Sequence, residues 1–113
     1  MTPQFLVLDR SELLEFFGSD PIEASDVDGF ACYEVTDGRG VTMRFSFDAL
    51  ERSVQTVISV AGLEVSTVSH EGAERMVIRD GQLRCEFASG EFKTNLTIDI
   101  AVIFAKWSTL RLE

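Results

Sequence analysis

AERMVIRDGQLRCEFASGEFKTNLTIDI, residues 73–100, is the stretch from which the fold can be read. Asp80-Gly81 is the residue pair best suited to a two-residue type I′ turn, because both central positions of that turn need positive φ. With that turn, Arg79 faces Gln82, Ile78 faces Leu83, Met76 faces Cys85, Arg75 faces Glu86 and Glu74 faces Phe87. A second two-residue turn at Ser89-Gly90 sets Phe87 opposite Phe92, Glu86 opposite Lys93, Cys85 opposite Thr94 and Leu83 opposite Leu96. The two registers agree on one apolar face: Met76, Ile78, Leu83, Cys85, Phe87, Phe92, Leu96 and Ile98. They also agree on a solvent face bearing the row Arg75, Glu86, Lys93. Side chains alternate with period two, so a slip of one residue would bury that charged row and expose the core.

Working outward, the same alternation recurs. Phe30 to Val35 and Val41 to Phe47 form a hairpin across Asp37-Gly38-Arg39-Gly40. Aligning Ala31, Tyr33 and Val35 with Val41, Met43 and Phe45 requires a three- or five-residue loop, which the glycines permit through an αL position. That Gly-x-Gly is a turn, since an alternating strand follows it where a phosphate loop needs a helix. Val54, Thr56, Ile58 and Val60 pair through Ala61-Gly62 with Leu63, Val65 and Thr67. Ser69 to Gly72, with His70, is then a loop leading into the central stretch. Asp48 to Arg52 makes one helical turn or a wide connection. Val102 to Ala105 breaks the alternation, as a bulge or burial on both faces would.

Before the strands, Phe5 to Leu8 is a short apolar run fit for a buried or edge strand. Asp9-Arg10-Ser11-Glu12 reads as a capping box, with Leu8 and Leu13 as its hydrophobic staple. The helix covers Arg10 to Phe17, closed by Gly18 and kept from continuing by Pro21. The result is one domain over residues 1–113, mainly β (α+β). About eight strands form an antiparallel meander that curls into a sandwich or barrel, with one short amino-terminal helix closing an end or lying on one face.

At 113 residues the chain buries roughly two thirds of its unfolded surface, enough for a core without staples. Two cysteines, Cys32 and Cys85, are too few for a disulfide framework, and the alternation places them on opposite faces as free thiols. One histidine excludes a multi-histidine metal site. Asp26-Val27-Asp28-Gly29 resembles the middle of an EF-hand loop, but with Gly29 as sixth residue the first and twelfth positions are Ala24 and Val35. Two essential carboxylates are missing, and a solvated acidic loop is the simpler account. No metal or cofactor is expected. No run approaches the about 18 apolar residues of a membrane span, and the amino terminus lacks a secretory signal pattern, so the cytoplasm is the expected compartment.

The net charge of −9 is unevenly spread. Residues 1–34 hold eight acids (Asp9, Glu12, Glu15, Asp20, Glu23, Asp26, Asp28, Glu34) against Arg10 alone, and the remainder is nearly balanced, eleven acids to nine bases. Such a field repels nucleic acid and anionic membranes and complements a basic protein. A protein-binding module is therefore expected, most concretely a small acidic immunity or inhibitor protein masking a basic partner such as a nuclease toxin. Its contact residues are expected at Glu12, Glu15, Asp20, Glu23, Asp26 and Asp28, with exposed Phe104 or Trp107 as an aromatic anchor. Acidity serving only solubility fits the same composition. A small β-barrel carrying an apolar ligand, or a purely structural or interaction protein, are the alternatives, although nine phenylalanines favour a filled interior. An enzyme is not expected. Neither Cys32 nor Cys85 has a third group to complete a constellation with His70, and Asp26 and Asp28 lie in a loop without a desolvating pocket.

Overall fold

Turn chemistry sets most of the architecture. A computed structural model describes residues 4–111. Helix α1 spans Arg10–Phe17. The strands are β1 (Glu23–Ser25), β2 (Phe30–Thr36), β3 (Val41–Asp48), β4 (Ser53–Val60), β5 (Leu63–Glu71), β6 (Ala73–Arg79), β7 (Gln82–Ser89), β8 (Phe92–Asp99) and β9 (Phe104–Arg111). They make two antiparallel sheets, β1-β2-β3-β4-β5 and β6-β7-β8-β9, each in chain order. The meander is thus a sandwich, with one strand more than the eight expected. The extra strand is β1, in a segment whose polar composition hides it.

Asp80 and Gly81 have φ of 53° and 74°, and Ala61 and Gly62 have 51° and 82°, so both two-residue hairpins form as expected. The β2–β3 hairpin pairs Ala31 with Phe47, Tyr33 with Phe45 and Val35 with Met43, closing through an αL glycine at Gly40. Asp9 Oδ1 accepts the Glu12 N–H at 2.8 Å, Glu12 Oε1 accepts the Asp9 N–H at 3.3 Å, and Gly18 is left-handed, as the capping box and terminal glycine require.

Several expectations are corrected. The turn after β7 is Gly90-Glu91, because a glycine at the first central position takes positive φ without the strain a serine would incur. Pairing moves by two residues, so the faces survive but the partners change: Phe87 faces Thr94, Glu86 faces Asn95 and Leu83 faces Ile98. Arg75 does face Glu86, yet Lys93 faces Ala88. A bulge at Glu74 sets Ala73 opposite Phe87. Ile78, on the core face, lies at a margin and is 36% exposed. Residues 49–52 form a turn, with no helix, tied by the Glu51 N–H to Asp48 Oδ1. Val102 and Ile103 belong to the β8–β9 turn, which explains the broken alternation: Ile103 tucks into the core while Val102 points out.

The largest correction lies in β5. Ser59 pairs with Glu64 and Ile58 with Ser66, so Val65 is an extra, bulged residue and the facing parity reverses beyond it. Val68 and His70 therefore share the face of Thr56 and Val54, and Leu63 and Val65 are exposed. His70 is a strand residue. The chain then passes between sheets through Gly72 alone, at φ 82°, where a Cβ would stand 2.6 Å from the Ala88 carbonyl oxygen.

The inner faces share one core, with Tyr33, Met43, Phe45 and Val54 from the first sheet and Met76, Leu83, Cys85, Phe87, Leu96 and Ile98 from the second. Helix α1 closes this core by stacking Phe17 on Tyr33 (4.6 Å between ring centres) and Phe45 (5.7 Å). Leu6 makes a single parallel bridge to Arg75, capping part of the β6 edge, so Phe5 to Leu8 forms one isolated bridge where a buried or edge strand was expected.

Candidate functional site

Alternation along each strand leaves one side chain in two pointing outward, so the strand registers define two outer faces. On the first sheet, Glu23, Glu34, Asp48, Glu64 and Glu71 face outward with Arg44 as the single cation. On the second, Arg75, Arg79, Arg84, Lys93 and Lys106 face outward against Glu86 and Asp99. One face is acidic and the other basic. The cationic row escaped the sequence reading because it is spread over four strands. Its signal was present as Arg75 and Arg79, four residues apart on β6, and Arg84 on β7, all at non-core positions.

The expected contact residues divide among several places. Glu12 and Glu15 line a groove with Phe16, Ile78, Gly81 and Ile100, where α1 meets the margin of the second sheet. Asp20 follows the helix, about 4.0 Å from Arg10. Glu23 lies on β1, opposite Cys32 on the outer acidic face. Asp26 and Asp28 sit in the β1–β2 hairpin loop, where the Ser25 hydroxyl donates to Asp28 Oδ2 at 3.1 Å. Asp26 also joins Arg10, Leu13, Pro21 and Tyr33 around a cleft between α1 and the first sheet. Four of the six acids thus follow α1 closely in sequence, Asp20 and Asp26 lying near the helix and Glu23 on the outer face, whereas Glu12 and Glu15 line the groove at the second sheet.

Phe104 and Trp107, the two alternative aromatic anchors, lie on opposite faces of β9. Phe104 pairs with Asp99 on the outer face and is 40% exposed. Trp107 points inward, half-buried, with its ring 5.8 Å from that of His70 and its Nε1–H donating to Thr56 Oγ1 at 3.3 Å. His70 Nε2 lies 3.4 Å from Thr94 Oγ1, and its Nδ1 lies 3.1 Å from the Glu71 carbonyl oxygen. Histidine and tryptophan plug the flank where β5 faces the second sheet, His70 also lying against Phe87.

Asp37 is the residue that spacing did not reveal. Its side chain is 3% exposed and accepts the Arg39 Nη2–H at 2.8 Å. It also accepts the N–H groups of Arg39 (2.8 Å), Val41 (3.2 Å) and Ile103 (3.1 Å). Arg39 in turn donates to the Ile103 carbonyl oxygen at 3.1 Å. Burial pushes this carboxyl up, but the hydrogen bonds from the Arg39 side chain and from three backbone N–H groups outweigh it, and the pKa falls from 3.8 to about 2. The clasp joins the β2–β3 loop of one sheet to the β8–β9 turn of the other.

Both cysteines are free and buried. Burial pushes each thiol up, Cys85 most strongly, which removes thiolate character. The space between the sheets is filled by Tyr33, Phe45, Phe87, Met43 and Leu83. Among the described residues no helix is long and apolar enough to cross a membrane.

No protein-family model matches the sequence, and no curated protein matches it. A solved structure is similar. One chain of the contact-dependent growth inhibition toxin–immunity protein complex from Klebsiella pneumoniae 342 superposes with a TM-score of 0.86 at 24% identity, covering 93% of this chain and 96% of that one. The two chains share a fold over nearly their whole lengths.

Proposed function

We propose that this chain is a non-enzymatic protein-binding module of the immunity type, which masks a basic toxin by covering it in the cytoplasm. The observation that carries the proposal is the near full-length likeness to a chain of a toxin–immunity complex, combined with the acidic amino-terminal third. Of the two roles in such a complex, the immunity side is favoured by chemistry. The thiols are buried and raised in pKa, and His70 is occupied by stacking and by Thr94. Free cysteines support a reducing compartment.

Glu15, Asp20, Glu23, Asp26 and Asp28, with Glu12, supply the docking charge. Surface charges act through a field screened over about 8 Å at physiological ionic strength, so their main effect is on association rate. The test is to express the reading frame that neighbours this gene, measure whether it inhibits growth, and ask whether this chain relieves that inhibition. Binding is then compared for the wild type and a variant carrying Asn or Gln at Glu15, Asp20, Glu23, Asp26 and Asp28. The variant should associate more slowly and with a flatter salt dependence. Equal rates and equal salt dependence would reduce the acidic end to a solubilising surface.

A further inference from the structure

The outer face of β6–β9 is cationic in a protein whose net charge is −9. A surface kept only for solubility intersperses both signs, whereas this face carries five bases against two acids, so it calls for a separate account. At its centre is a groove lined by Arg75, Val77, Arg79, Arg84, Glu86 and Asn95, with Thr97 at its end. Arg75 is committed, since it pairs with Glu86. Arg79 is exposed and, among the described residues, pairs with no carboxylate. Arg84 is held only by a long Nη2–H bond to Gln82 Oε1 at 3.3 Å and by a 3.9 Å approach to Asp80, whose carboxylate is 90% exposed. The Arg84 Nε is buried with no hydrogen-bond partner, a position that normally costs stability unless something accepts its proton.

Two guanidinium groups are therefore available side by side, and a planar fork of donors matches a carboxylate. The apolar side chains on the same face point to what kind of anion. Val77 lies in the groove, and exposed Phe104 and Leu110 face outward on β9 beside Lys106. Phosphate alone would leave them uncovered, and a long polyanion would meet the acidic remainder of the molecule. A segment alternating acidic and apolar side chains satisfies both.

We propose that the outer face of β6–β9 docks an acidic segment of a protein partner, with Arg79 and Arg84 receiving its carboxylates and Val77, Phe104 and Leu110 its apolar side chains. This is a second interface, opposite in sign to the acidic end and independent of whether that end binds a toxin. The probe is a short fluorescent peptide of alternating Glu and Leu, titrated by anisotropy at low and high salt beside a single-stranded RNA of equal length. The wild type should bind the peptide more tightly than the RNA, and salt should weaken that binding. Arg79→Gln, at an exposed position, should weaken binding several-fold. Adding Arg84→Gln should bring the loss to about tenfold or more, with circular dichroism unchanged. The variant neutralised at the acidic end should bind the peptide as the wild type does. Absence of peptide binding at low salt, tighter binding of the RNA, indifference to both arginines, or loss in the acidic-end variant would each overturn the assignment.

Discussion

The two sheets are alike on the inside and opposite on the outside. Their inner faces fill a single core, Phe45 and Met43 on one side meeting Phe87, Leu83 and Leu96 on the other, all essentially inaccessible. Outward, the first sheet presents five acids and one base, the second five bases and two acids. Burial makes the same demand on both inner faces, because apolar area removed from water is stabilising whichever strand supplies it. Solvent makes no such demand on the outer faces, so their charge is free to follow partners. A net charge summed over the chain hides this, since the acidic amino-terminal third outweighs the cationic face.

The comparison breaks first if the inner faces are not equivalent. Phe45→Ala in the first sheet and Phe87→Ala in the second should each cost about 3–5 kcal/mol, as burial is lost and a cavity left. Chemical denaturation of both variants is the measurement, and a large loss at one with little at the other would mean two separate cores. Next is the passage between sheets. Gly72→Ala forces a Cβ onto the Ala88 carbonyl at a left-handed position and should cost about 1–3 kcal/mol, read the same way, and an unchanged midpoint would mean that the crossing adjusts freely.

The clasp between loops gives a pH-dependent test. Asp37 has its folded-state pKa lowered from 3.8 to about 2, so its contribution is present above the ordinary value and is lost as pH falls through about 2. Asp37→Asn should therefore lower the melting temperature at neutral pH, with the gap from wild type closing toward pH 2. A gap constant over that range would show that the clasp works without its charge. The smallest effects belong to the outer faces, where Glu34→Gln and Lys93→Ala should each change stability by less than about 1 kcal/mol. Larger losses would mean that those charges hold the sheets together and are not free for partners.

What the sequence by itself determined was whatever local chemistry dictates. Asp80-Gly81 and Ala61-Gly62 accept positive φ, so their turns and the pairing next to each turn follow from the residue pair alone. Asp9 and Glu12 cap each other across one turn, and Gly18 ends what they begin. The alternating faces of β2, β3 and β7 needed only period two. Tertiary structure decided the rest, wherever several local solutions were close in energy. A bulge at Val65 turns His70 and Val68 inward, because β5 must cover the core beside β4 while its first residues follow the Ala61-Gly62 turn. Shifting a turn from Ser89-Gly90 to Gly90-Glu91 leaves both faces intact, so alternation could not distinguish the two registers. Asp37 gained its partners from Ile103, far along the chain, and the cationic outer face exists only once four strands lie side by side. Spacing along a chain reports neighbours within a turn or a hairpin, whereas charge patches and interloop clasps are made by distant residues that only packing brings together.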